Sequence, residues 1–107
     1  ILTENWLREH GIPYIREYSF DDCKNKRCLR FDFCVDWNSQ KVLIEVDGQQ
    51  HFYAGGWTDD DKLRYNQELD KIKEDYCAAN GHTLIRIPYW LYRHSTYKDI
   101  LNQTFFG

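Results

Sequence analysis

Apolar and polar residues along this chain follow first a helical spacing, then a strand alternation, then each again. Residues 2–10, LTENWLREH, carry part of a helical pattern. Thr3 is placed to cap this segment, Gly11 to close it, and Leu2 and Leu7 to form a hydrophobic staple. Ile12-Pro13 then begins extended chain, because proline disfavours helix in the residue before it. Residues 13–20, PYIREYSF, alternate as a strand, and the polar stretch 21–28, DDCKNKRC, reads as a turn. Residues 29–37, LRFDFCVDW, form a second strand pattern, rich in aromatic and β-branched side chains. The short turn Asn38-Ser39-Gln40 joins it to residues 41–47, KVLIEVD, which predicts an antiparallel hairpin ended by Gly48.

Residues 48–60 contain Gly48, Gly55 and Gly56 without any period and read as a loop. From about Asp60 to Asn80 the spacing is helical, with Leu63, Leu69, Ile72 and Tyr76 as candidate buried positions. Asp59, Asp60 and Asp61 suit the positive end of that helix, and Asn80-Gly81 stops it. Residues 83–89, TLIRIPY, predict a strand, and residues 96–103, TYKDILNQ, a last short helix. The order is α-β-β-β-α-β-α, an α/β or α+β arrangement, with no repeat, linker or low-complexity segment.

Composition narrows the classes. A chain of 107 residues, 42% hydrophobic and 17% aromatic, can bury one core and form one domain, and it is unlike disordered sequence. No apolar run approaches a membrane span and no secretory leader pattern is present, so an intracellular location and no membrane partner are expected. The sequence begins at Ile1 and contains no Met, which suggests a domain taken from a longer protein. The net charge of −3 differs from the basic balance of a general nucleic-acid binder. It is compatible with carboxylates that hold metal ions, and it suggests that a further DNA-binding domain lies elsewhere. Cys23, Cys28, Cys34 and Cys77 have irregular spacing. Free thiols fit this better than the paired spacing of a structural zinc site.

The candidate chemistry lies in FDF, residues 31–33, and in IEVDGQQH, residues 44–51. Side chains two apart in a strand share a face, so Glu45 and Asp47 point the same way while Ile44 and Val46 point into the core. Asp32 lies between Phe31 and Phe33 and is expected to point away from the face those rings cover. If the strands pair with Asp32 near Glu45 or Asp47, three carboxylates converge. Their mutual repulsion, within so apolar a segment, is relieved if a divalent cation sits between them. Mg²⁺, or Mn²⁺ in its place, takes hard oxygen ligands and keeps sites for water and phosphate oxygens. It can lower the pKa of a bound water, which fits phosphodiester hydrolysis. Asp32, Glu45 and Asp47 are therefore the candidate metal ligands. His51 follows as a candidate proton carrier near neutral pH. Taken one at a time these residues have plainer roles: Asp36 as a solvated strand residue, Glu45 and Asp47 in salt bridges with Arg30, Lys41 or Arg86. Lys24, Lys26 and Arg27 form one basic group. Arg86, Arg93, His94 and Lys98 form another. Both are candidates for phosphate contact. Phe52, Tyr53 and Trp57 are candidates for base stacking.

FDF, a short turn, IEVDGQQHF, a helix with DKIKEDYCAANG, and LIRIPYW, in that order, resemble the PD-(D/E)XK nuclease superfamily. Within it they resemble the branch of very-short-patch-repair and phage intron-encoded homing endonucleases, from about Ile12 to Trp90. The resemblance implies a restriction-endonuclease-like mixed central sheet flanked by helices, and Mg²⁺-dependent cleavage of DNA, with RNA left open. By motif, Asp32 takes the place of the first aspartate and Glu45 that of the second acid. The residue two beyond Glu45 is usually lysine; here it is Asp47. Asp47, His51 and Asp70 match in order the acid, histidine and later aspartate that this branch carries instead. Lys73, one turn after Asp70, stands where it could replace the missing ammonium. The glutamate expected on the first helix has Glu4 as its nearest candidate, or lies upstream of Ile1. The alternative is a nuclease fold without cleavage, binding nucleic acid or a protein partner.

Overall fold

The computed structural model describes residues 2–24, 28–47 and 59–107, with the side chains of 59–63 left aside. Helix α1 (Leu2–Glu9) is followed by strands β1 (Ile15–Lys24), β2 (Cys28–Trp37) and β3 (Gln40–Asp47). Helix α2 (Asp59–Asn80), strand β4 (Thr83–Pro88), a 3-10 turn (Tyr89–Arg93) and helix α3 (Thr96–Phe106) complete the chain. The fold is α+β, a four-stranded mixed sheet with three helices, in the expected order of elements. The strands lie in the order β1-β2-β3-β4. The first two pairings are antiparallel and β3 runs parallel to β4. Such a parallel pair needs a crossover, which α2 supplies. No helix among the described residues is long and apolar enough to cross a membrane.

Each face of the sheet has its own core. On one side Phe33, Val35, Val42, Ile44 and Ile87 pack against Trp6 and Leu7 of α1 and Tyr97, Leu101 and Phe105 of α3. The spacings 6–7 and 97–101–105 put those helical residues on one stripe. On the other side Phe31, Cys34 and Leu43 meet Cys23 of β1 and Cys77 of α2. The sheet is thus covered by α1 and α3 on one face and by α2 on the other.

Several local expectations are corrected. Residues 21–24 continue β1 instead of forming a turn. β1 lies at the edge of the sheet, where a strand tolerates polar side chains such as Asp21 and Asp22. Thr3 lies inside α1, buried, with its hydroxyl bonded to Tyr92 rather than capping the helix. Leu2 is exposed while Leu7 is buried, so no staple forms. Helix α3 runs three residues further than its sequence pattern, to Phe106. The β2–β3 hairpin turns through Asn38 and Ser39, both at positive φ (51° and 66°). That geometry follows the twist of the strands it joins.

The sheet is distorted at Asp32. In a regular strand Phe31 and Phe33 would share a face, yet Phe31 belongs to the core under α2 and Phe33 to the core under α1 and α3. The expectation that both rings cover one face is therefore wrong. On the neighbouring strand Glu17 stands between the pairs Arg16↔Phe33 and Tyr18↔Phe31, opposite Asp32. Its φ is +53°, a left-handed conformation that costs a non-glycine residue about 1 kcal/mol or more. The β2–β3 register ends one position earlier, at Phe33↔Ile44, while β3 continues along β4 to Asp47↔Pro88. A gap opens between β2 and the last residues of β3.

Candidate functional site

Asp32 fills that gap. Its Oδ2 accepts the backbone N–H of Val46 at 2.7 Å. The side chain thereby replaces the ladder partner that Val46 lacks where the strands part. This bond fixes the carboxylate against the end of β3. Glu45 and Asp47 flank Val46 and, as their alternation requires, both face α2. Each is only 5% exposed. The structure thus brings Asp32, Glu45 and Asp47 to one end of the sheet.

The two buried acids are compensated from α2 and β4. Lys73 Nζ donates to Glu45 Oε1 at 2.7 Å and to the Arg30 carbonyl at 2.6 Å, and it lies 5.1 Å from the centre of the Phe31 ring. Burial pushes the Glu45 carboxyl up to about 7, against the opposing pull of Lys73. The nearby charge of Asp32 raises it further. Arg86, next to Glu45 across the β3–β4 pairing, reaches Asp47 Oδ1 at 3.3 Å and Asp70 Oδ1 at 3.1 Å. Its Nη2 also donates to the Asp70 carbonyl at 3.0 Å. Burial works against the charge on Arg86, and the carboxylates of Asp70 and Asp47 more than offset it. Buried charges in such numbers persist only when paired in this way.

Of the residues singled out in the sequence, Asp70 and Lys73 sit one turn apart on α2 and face the sheet acids. Lys24 is exposed at the end of β1. Arg86, a candidate for phosphate contact, has its guanidinium turned inward among Asp47, Asp70 and Glu74. His51, Lys26, Arg27 and the aromatic residues Phe52, Tyr53 and Trp57 lie outside the described residues. Glu4 is held by the Tyr14 hydroxyl at 2.6 Å and by Arg8 and Arg16 at 3.6 and 3.9 Å. Asp36 is exposed and pairs with Lys41 at 2.8 Å, the solvated role expected of it.

Three residues unmarked in the sequence, Tyr92, Arg16 and Glu17, border the acids, as does Arg30, which the sequence offered only as a salt-bridge partner. Tyr92 is bonded through its hydroxyl to Thr3 at 2.7 Å. Burial first, and then the charges of Asp32 and Asp47, push its phenol up to about 12. Arg16 and Glu17 line a cleft with Asp32 and Tyr92 on the α1 side of the sheet, and Arg30 lines a second cleft with Asp32, Glu45 and Lys73 on the α2 side. Alternation around Asp32 could have flagged Arg30. Arg16 carries no such signal, because only strand pairing brings it near.

Among the described residues no three His, Cys, Asp or Glu side chains form a ready cage for a metal ion. Mg²⁺ seldom uses such a cage; one or two carboxylates, waters and substrate phosphate oxygens usually suffice. Asp32 and Glu45 each spend one oxygen on a protein donor, Val46 N–H and Lys73 respectively. Their second oxygens fit such an ion in donor chemistry. Searches against protein-family models, curated proteins and solved structures found no match to this chain.

Proposed function

We propose that this protein is a metal-dependent endonuclease that hydrolyses phosphodiester bonds in DNA, with a restriction-endonuclease-like sheet as its frame. The observation that carries this reading is the placement of Asp32 against the end of β3 by the Val46 N–H. There it joins Glu45 and Asp47, two acids buried to 5% exposure. Burying acids side by side is costly, and a surface salt bridge would not require it. A bound Mg²⁺ or Mn²⁺ would supply an activated water and charge stabilisation at the phosphate. Asp32 and Glu45 would hold the ion, with Asp47, steadied by Arg86 at the end of β3, as the third candidate ligand. Lys73 opposes the protonation that burial favours at Glu45 and offers a cation to the phosphate from the same cleft. Asp70 holds Arg86 in place. His51 is the candidate proton carrier. The resemblance to the PD-(D/E)XK superfamily, in the ordered set of Asp32, Glu45, Asp47, His51 and Asp70, supports the same assignment.

A second reading, nucleic-acid binding without cleavage, draws on one observation. Glu45 and Asp47 already have Lys73 and Arg86 as counter-charges. Incubation with plasmid DNA in Mg²⁺ or Mn²⁺ separates the two. Cleavage that EDTA stops and that Asp32→Asn and Asp47→Ala abolish selects the enzyme. Tight binding with no cleavage in either metal removes it.

A further inference from the structure

Arg16 and Arg30 stand on opposite sides of Asp32. Asp32 and Glu17 line both clefts at this end of the sheet, Arg16 only the one beneath α1, and Arg30 only the one beneath α2. In the β1–β2 register Arg16 pairs with Phe33 and Arg30 with Ser19. Their rows are three residues apart, about 10 Å along the strands, with the Glu17–Asp32 row between them. Both side chains are largely exposed, 61% for Arg16 and 70% for Arg30. Among the described residues each has only a marginal ion pair, 3.9 Å to Glu4 and 4.0 Å to Glu17. Exposed pairs at such distances contribute little, so each guanidinium can exchange its carboxylate for a phosphate. A planar guanidinium suits that exchange, because its donors match phosphate oxygens in pairs. The group working against it is Glu17, whose charge Arg30 partly offsets.

We propose that Arg16 and Arg30 grip the phosphates on either side of the one presented to Asp32, so that the ligand is the interior of a nucleic-acid strand and not a mononucleotide or a strand end. This rests on the nuclease reading and extends it. It gives an acidic protein a local pair of cations on β1 and β2, where the sequence pointed to Lys24, Lys26, Arg27 and Arg86 instead.

The test is the salt dependence of binding to a fluorescein-labelled 20-nucleotide duplex and single strand, by anisotropy in EDTA, so that no cleavage intervenes. Removing one arginine–phosphate pair should lower the slope of log K against log salt by about one. Arg16→Gln and Arg30→Gln should each show that decrease, and the double variant about twice it. Lys71→Gln, the same charge change on an exposed residue paired with Asp75, should keep the wild-type slope. Unchanged slopes in both arginine variants, or no binding by the wild type, would overturn the proposal. Altered slopes without any plasmid cleavage remove the catalytic reading alone. Plasmid cleavage with unaltered slopes removes this one alone.

Discussion

Lys73 and Glu45, 28 residues apart in the chain, meet between α2 and the sheet with Nζ 2.7 Å from Oε1. Their side chains are 13% and 7% exposed. The contact ties the crossover helix to the strand that carries two of the three acids. Removing one member of a buried pair leaves the other uncompensated, at a cost of about 3 kcal/mol or more. Lys73→Met should therefore lower stability by about 3 kcal/mol at pH 8. The destabilisation should shrink towards pH 5, where Glu45 takes up a proton. Urea denaturation at the two pH values measures this, and an equal effect at both would contradict it.

Glu45 itself should make the fold sensitive to pH. Its carboxyl rises from 4.5 to about 7 on folding, chiefly through burial. Between those values the folded protein holds the proton more tightly than the unfolded chain. The stabilisation is complete below the unfolded value and is lost as pH rises through about 7. A shift of this size corresponds to about 3 kcal/mol. In EDTA, the stability of the wild type relative to Glu45→Gln should fall by roughly that amount between pH 4.5 and pH 8. A flat difference across the range would show that Lys73 compensates the charge fully.

Asp32 has a structural task and, in the proposed reaction, a chemical one, and two substitutions separate them. Asp32→Ala leaves the Val46 N–H without its acceptor and should cost about 1–3 kcal/mol. Asp32→Asn keeps an acceptor oxygen and should stay within about 1 kcal/mol of the wild type. Both should lower metal-dependent plasmid cleavage by about 100-fold or more. Thermal melting alongside a cleavage assay reads both effects. Full cleavage by Asp32→Asn would remove this carboxylate from the chemistry.

The four thiols should divide by burial. Cys28 is exposed, whereas Cys23, Cys34 and Cys77 are buried. Burial raises the thiol pKa of all three buried residues, that of Cys77 to about 11. A thiol that stays protonated is a poor nucleophile. Ellman's reagent at pH 8 should therefore modify one thiol per chain quickly and the other three only as fast as the protein unfolds. Two fast thiols would mean that the core beneath α2 opens readily.

The residues themselves show where sequence reasoning reached. The order of elements, the shared face of Glu45 and Asp47 and the exposure of Asp36 all follow from spacing along one segment. The role of β1 beyond Phe20 did not. Asp21, Asp22 and Lys24 are polar because they lie on an edge strand, and a polar run looks the same in a turn. Thr3 looked like a cap because capping is a local property, but a hydroxyl 89 residues away, that of Tyr92, takes its bond. Arg16 and Arg30 are 14 positions apart in the chain and show no joint pattern until β1 and β2 pair.

By itself the sequence determined the periodicities, hence which segments are helix or strand and which acids can share a face, since backbone geometry sets these within a few residues. Tertiary structure decided where β2 leaves β3, why Phe31 and Phe33 part company, and which cations meet the buried acids. Those outcomes depend on contacts between segments far apart in the chain, where each strand's register is settled by the two cores it must fill at once.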